Sequence, residues 1–361
     1  MGNRAGSTPV IPTNSMMNTL VNIGYVTSLG IILLLLVLVT LLTFFILNLA
    51  FNRRQNNHPY LRYFTAKDFP NLEADEVEFT NRRHLKLRGA FYYYDQKKTH
   101  QGLIVFPHGI GAGHHAYMHL IEQFAQKGFI VFSYDNTGCE LSEGSSIRGI
   151  PQAILDLEDA LHYLEKTTYT KYQWFVVGHS WGAYASLRSS FLSPRVQKVV
   201  AIAPFDDVGE LLGKYLPIIR FVKPFITLIH RIKFPGKWTY QRSSTLLKKI
   251  RIPHLIISGE NDDDIPLKGN YQRFLKVSQR QQNLTVYLAK NHRHNPYLTF
   301  EAENYIIDTI LKGTQEMAME VDPQKRHQFF HSLDYSHIAN HDENIINLVV
   351  DYLTKSSLIT L

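Results

Sequence analysis

The chain has 361 residues, a net charge of +7 and a single cysteine, Cys139. Composition is that of a globular protein, and the roughly 300 residues after the first 60 or so suffice for one large domain with a full core. One cysteine excludes an intramolecular disulfide. No Lys/Arg run is interleaved with aromatics, so the charge argues for an anionic surface such as a membrane leaflet and against nucleic acid.

In chain order, the first feature is apolar. From Ala5 to Asn52 there is no charged residue, and Val26 to Phe51 is dominated by Leu, Ile, Val and Phe. Residues 1–25 read as an N-terminal flank and 26–51 as a transmembrane helix, long enough to span a bilayer. The run is too long, and begins too far along the chain, for a cleaved signal peptide. Arg53, Arg54, Arg62 and Lys67 follow it, against Arg4 before it. The positive-inside rule therefore predicts a single-pass protein of the cell membrane with the rest of the chain in the cytoplasm. Residues 52–75 are polar and read as a juxtamembrane linker.

Residues 76–361 are expected to form one domain. Strands are predicted over 77–79, 85–94, 102–106, 129–134, 174–177, 196–203, 254–258 and 284–288, the first two antiparallel around Asn81. Helical spacing falls over 115–127, 151–166, 181–192, 298–311 and 343–353. This alternation predicts an α/β class with a mostly parallel central sheet and helices on both faces.

Gly178-His179-Ser180-Trp181-Gly182 lies between the strand at 174–177 and the helix that follows. A Gly-x-Ser-x-Gly in that context holds its serine out on a sharp turn at the carboxyl edge of the sheet. The helix start places the Trp181 amide and a positive dipole where an oxyanion would develop.

From about residue 76 to 312 the chain resembles the α/β-hydrolase superfamily, most closely its monoacylglycerol lipase and serine aminopeptidase-like branch. The likeness rests on Pro107-His108-Gly109-Ile110-Gly111, Asp135 to Ser142, the elbow, Gly259-Glu260-Asn261-Asp262 and His294-Asn295-Pro296, in the family's order. It implies Ser180 as nucleophile and Ile110 as the second oxyanion amide. It maps the acid onto Asp262, with Asp263 and Asp264 as immediate rivals and Asp206 or Asp207 as further ones. The base falls in the loop after the last strand, at His294, with His292 as runner-up. Ser180, Asp262 and His294 follow the chain order of this fold.

No metal or organic cofactor is expected. His115 and His119 are four apart, but no H-E-x-x-H pattern accompanies them. A helical cap insertion is expected over about 208–250, above the site. From Leu211 to Gly259 it has no acidic residue, and Lys and Arg alternate with Leu216, Ile218, Ile219, Phe221, Phe225 and other apolar residues. Such a segment suits an anionic membrane surface. Residues 313–341 read as a polar insertion without functional assignment.

The resemblance therefore implies a serine hydrolase that cleaves a carboxylic ester, or an amide as a peptidase does, of a small-molecule or lipid-like acyl substrate, through an acyl-enzyme, and the apolar run adds a membrane anchor. Acyl transfer by the same triad, or non-catalytic binding on a membrane-tethered hydrolase fold, are the competing readings.

Overall fold

The computed structural model describes residues 14–95, 100–215 and 219–355. Helix α1 (Asn14–Phe51) carries its Leu, Ile, Val and Phe side chains outward over most of its length. It starts inside the expected flank, because Asn14 to Tyr25 continues the uncharged stretch without a proline.

Strands β1 (Glu73–Thr80) and β2 (Lys86–Tyr93) form a hairpin. Asn81 closes its turn, its Oδ1 accepting from the Arg83 and Leu85 amides. There follow β3 (Leu103–Pro107), α2 (Met118–Gln126), β4 (Ile130–Tyr134), α3 (Gln152–Leu164) and β5 (Trp174–His179). Helices α4 (Trp181–Ser186) and α5 (Ser189–Leu192) lead to β6 (Val196–Ile202). The sheet order is β1-β2-β4-β3-β5-β6-β7-β8, where β7 is His254–Gly259 and β8 is Leu284–Ala289. From β4 to β8 all pairs are parallel; β1 and β2 are antiparallel to their neighbours. Strand alternation fills both faces. Leu103, Val105, Trp174 and Val176 join one core, and Ile104, Phe106, Phe175 and Val177 the other.

The single helix expected over 181–192 is broken at Leu187 and Arg188. Arg188 is fully buried, and its own guanidinium donates to the Tyr184 carbonyl (2.7 Å), while its backbone N–H turns to Ala185. The same guanidinium donates to the Ser243 hydroxyl and the Gln241 carbonyl. A buried cation so saturated ties the elbow helix to the base of the cap.

The cap region folds as α6 (Val208–Tyr215), α7 (Ile219–Lys233) and α8 (Ser243–Leu247). Leu216 and Ile218, and the side chains of Ile219, Arg220 and Phe221, lie outside the described residues. Helix α7 packs along the end of α1. Thr43, Leu47 and Phe51, one turn apart each, are the buried stripe of α1, and Leu47 and Phe51 share a core with Ile226 and Ile229. Lys233 Nζ donates to Asn48 Oδ1 at 2.6 Å.

Residues 52–75 differ from the expected free linker. Gln55 pairs as a parallel bridge with Cys139, through Gln55 N–H to Gly138 O (2.9 Å) and Glu140 N–H to Gln55 O (3.0 Å). Arg54 donates to the carbonyls of Glu140, Ser142 and Gly144. Polar groups of this segment are thus spent on the domain's own loop.

Beyond β7 comes α9 (Tyr271–Ser278), and beyond β8 comes α10 (Phe300–Asn304), which continues without a break through a π-helical stretch (Tyr305–Leu311) into α11 (Lys312–Met319). Helix α12 (Pro323–Ser332) and the final α13 (Glu343–Thr354) complete the chain. The segment 313–341 is thus largely helical. Gly313, which reads as a stop, lies within it because the Phe329 ring sits where a Cβ would be, 2.2 Å away.

Candidate active site

The elbow forms because β5 must turn at once into α4. Ser180 takes φ 53° and ψ −111°, a left-handed conformation that side chains rarely adopt and that strain at functional sites favours. Both flanking glycines are required by contact. A Cβ on Gly182 would lie 1.9 Å from the Pro107 carbonyl oxygen, and one on Gly178 2.4 Å from Ser186 Oγ. Ser180 is therefore pressed toward the carboxyl end of β3.

Ser180 Oγ lies 2.9 Å from His294 Nε2, and His294 Nδ1 lies 2.9 Å from Asp262 Oδ2. The carboxylate only accepts, so Nδ1 carries the proton and Nε2 accepts from the serine hydroxyl. Asp262 Oδ1 takes the amides of Asp264 (2.9 Å) and Ile265 (2.8 Å), which fixes the carboxylate plane. Burial alone would lower the His294 pKa, but the hydrogen bond and charge of Asp262 carry it above the ordinary imidazole value.

The rival acids and base are engaged elsewhere. The Asp263 side chain is 84% exposed and pairs with Arg293, and Asp264 is 60% exposed. Asp206 and Asp207 sit among Arg242, Arg273 and Lys223. His292 Nε2 faces Asp342 at 3.1 Å. Asp262, Asp264 and His294 bring three potential metal-ligand atoms within 4.8 Å, but both Asp262 oxygens already accept hydrogen bonds, Oδ1 from the Asp264 amide and Oδ2 from His294 Nδ1–H.

Further residues support the triad, and two of them, Glu303 and Tyr117, lie outside the motifs that the sequence offers. Glu303, fully buried in α10, accepts from the amides of Arg293 (3.0 Å) and Asn295 (2.6 Å), clamping the loop on either side of His294. Gly259 admits this loop, since a Cβ there would meet the Arg293 carbonyl oxygen at 1.8 Å. His108 accepts from Asn136 N–H at Nε2 (3.0 Å), so its Nδ1–H donates to the Gly109 carbonyl (2.6 Å). His179 and Tyr117 join the Gly109 and His294 backbones.

A cavity of about 630 Å³ opens above Ser180. Ile110 and Trp181 line it with Ser180 and His294. As the first residue of α4, Trp181 has an amide with no acceptor inside the helix. The cap, expected to roof the site, supplies Leu211 and Leu212. Most of the remaining wall comes from the segment after α1, from residues 111–119 and from residues 306–338.

A family model described as serine aminopeptidase, S33, matches residues 98–236. That match covers the stretch from before β3 into the cap and includes the elbow.

The chain has the α/β-hydrolase fold.

The chain is 24% identical over 234 residues to an uncharacterized abhydrolase domain-containing protein of Dictyostelium discoideum, a match over 55% of this chain and 25% of that one. The chain thus spans a quarter of that relative. It is 22% identical over 237 residues to a monoglyceride lipase homolog of monkeypox virus, over 54% of this chain and 83% of that one. Among solved structures, a Pyrococcus furiosus esterase superposes with a TM-score of 0.51 at 20% identity, over 77% of this chain and 98% of that one. An acetyl xylan esterase from Paenibacillus gives 0.50 at 16% identity, over 69% and 86%. At such identities the structures speak for the fold.

Proposed function

We propose that this chain is a membrane-anchored serine hydrolase that cleaves a carboxylic ester by acyl transfer through Ser180. The observation that carries the reading is the unbroken hydrogen-bonded line Ser180–His294–Asp262 at the floor of a largely apolar cavity. His294 takes the Ser180 proton as Oγ attacks the ester carbonyl, and Asp262 stabilises the imidazolium. The Ile110 and Trp181 amides hold the oxyanion. His294 returns its proton to the leaving alcohol, then activates the water that releases the acid. The match to a monoglyceride lipase homolog supports a lipid-like acyl ester.

Helix α1 serves as the anchor. Met17–Phe51 is long and apolar enough to cross a bilayer, and Leu47 and Phe51 are part of the domain core, which supports retention of the helix over its removal as a signal. Arg53 and Arg54 at its end support a cytoplasmic domain. The cap helix α7, packed beside α1, exposes Leu228, Ile232 and Arg231 and faces the anionic leaflet. Lys214 and Lys223 are committed to the Asp263–Asp264 turn and to Asp207 and Glu210, so Arg231 and Lys237 carry that contact.

A fluorophosphonate probe tests the chemistry: the folded wild type labels and Ser180→Ala does not. Absence of labelling of the wild type defeats the reading. Retention in the membrane pellet after alkaline carbonate extraction tests the anchor, and release into the supernatant defeats it.

A further inference from the structure

The cavity wall holds residues that lie outside the stretch matched by the serine aminopeptidase model. Phe64 comes from the segment after α1. Ile306 and Ile310, one turn apart, come from the π-helical stretch, and Tyr335 and Ile338 from the loop after α12. These two segments clasp each other. Tyr335 Oη accepts from the Arg62 amide at 2.9 Å, and its ring meets that of Phe64 edge-on.

The clasp has a small buried centre of its own, Ile310, Phe330 and Leu333, with Leu61, Ile306, Tyr335 and Ile338 around it. Phe64 and Ile306 also pack against one of the sheet cores. The clasp lines the same cavity as Ser180 and His294 with aliphatic and aromatic surface, and the Tyr335 oxygen is already taken by Arg62. Surface of that chemistry discriminates by shape and apolar area.

Resting on the triad reading above, we infer that this clasp, rather than the cap, is the specificity element: it receives the unbranched aliphatic acyl chain of the ester and sets the chain length accepted. A space of about 630 Å³ is far more than an acetyl group fills.

The test uses the full-length protein in detergent micelles and p-nitrophenyl esters from acetyl to palmitoyl. Wild type, with Ser180→Ala as blank, defines the length profile. Ile306→Phe and Leu311→Phe narrow the cavity from two positions, and Ile338→Ala widens it. Each methylene lost from an apolar pocket costs about 10-fold or more in selectivity. We expect kcat/KM for palmitoyl to fall at least about 10-fold in either Phe variant, with butyryl kept within about 3-fold. Ile338→Ala shifts the optimum toward longer chains. Retained butyryl hydrolysis reports a folded site, so a variant that loses it is read through the other two. An active wild type whose profile none of the three variants moves overturns this inference alone. A wild type without Ser180-dependent hydrolysis of any ester overturns the hydrolase reading and the inference with it.

Discussion

The Nε2–H of His179 donates to the backbone carbonyl of His294 across 2.9 Å, tying the residue before the nucleophile to the backbone of the proposed base. Because a carbonyl only accepts, the proton is on Nε2, and Nδ1 accepts from the Tyr117 hydroxyl at 3.0 Å. Tyr117 in turn accepts from the Gly109 amide at 3.2 Å. Burial, with His294 close by, pushes the His179 pKa down to about 3, so the bridge stays neutral in working conditions. One line of hydrogen bonds thus runs from the loop of the proposed oxyanion amide to the loop of the base.

Tyr117→Phe keeps the ring and cuts this line on both sides. Small misplacement of reacting groups costs up to about 100-fold in rate. We expect kcat on a short ester to fall between about 10- and 100-fold, with KM within about 2-fold. The pH profile keeps its position, since Tyr117 does not contact the titrating His294 imidazole. Steady-state kinetics decides, and an unchanged kcat removes Tyr117 from the positioning role.

Asp262→Asn tests the acid. The neutral form of His294 is the base, so activity falls as pH drops through its pKa, which Asp262 raises. Without that charge the acid limb moves to lower pH, while kcat drops by about 10,000-fold as the imidazole loses its orienting partner. A pH–rate profile of the residual activity measures both, and Asp263→Asn serves as control with little change.

Stability carries its own pH signature. Burial lowers His179 to about 3 and His254 to about 4; burial, with Lys233 close by, lowers His230 to about 4. All three are nearly inaccessible to solvent. Between these values and the unfolded pKa near 6.5, the unfolded chain binds more protons, so stability falls as pH falls. At pH 5 each imidazole kept neutral withholds about 2 kcal/mol relative to pH 8. The urea midpoint is expected to drop between pH 7 and pH 5, and a flat midpoint across that range contradicts the assignment.

Arg54→Ala leaves the carbonyls of Glu140, Ser142 and Gly144 without their shared donor. The expected loss is about 2–3 kcal/mol, read as a fall in thermal midpoint of several degrees. Arg54→Lys recovers part of it, since one ammonium cannot reach three carbonyls in the guanidinium geometry.

The eight strands and the elbow were legible because their signals are local. Leu103 to Phe106 and Trp174 to Val177 are short apolar runs bounded by turn residues, and Gly178 and Gly182 sit where backbone contact admits no side chain. Asp262 and His294 were legible through the spacing of family motifs. What stayed hidden depends on distant partners. The break at Arg188 comes from a cation captured by residues about 50 positions on. Glu303 reads as one more surface carboxylate until the Arg293 and Asn295 amides fold onto it. Residues 313–341 look solvated because only a few of their apolar members, among them Met317, Phe330 and Leu333, face the small cluster around Ile310, too narrow to dominate the helical periodicity.

The docking of Arg53 to Asn57 on the loop at 138–147 has a kinetic meaning. If α1 spans a bilayer as proposed, this docking leaves no slack between the span and Ser180. For an ester held in the same leaflet, encounter would then be a search in two dimensions. Under the proposed function, turnover would follow the mole fraction of ester in the leaflet, and diluting that ester with inert lipid would slow the enzyme even at unchanged bulk concentration.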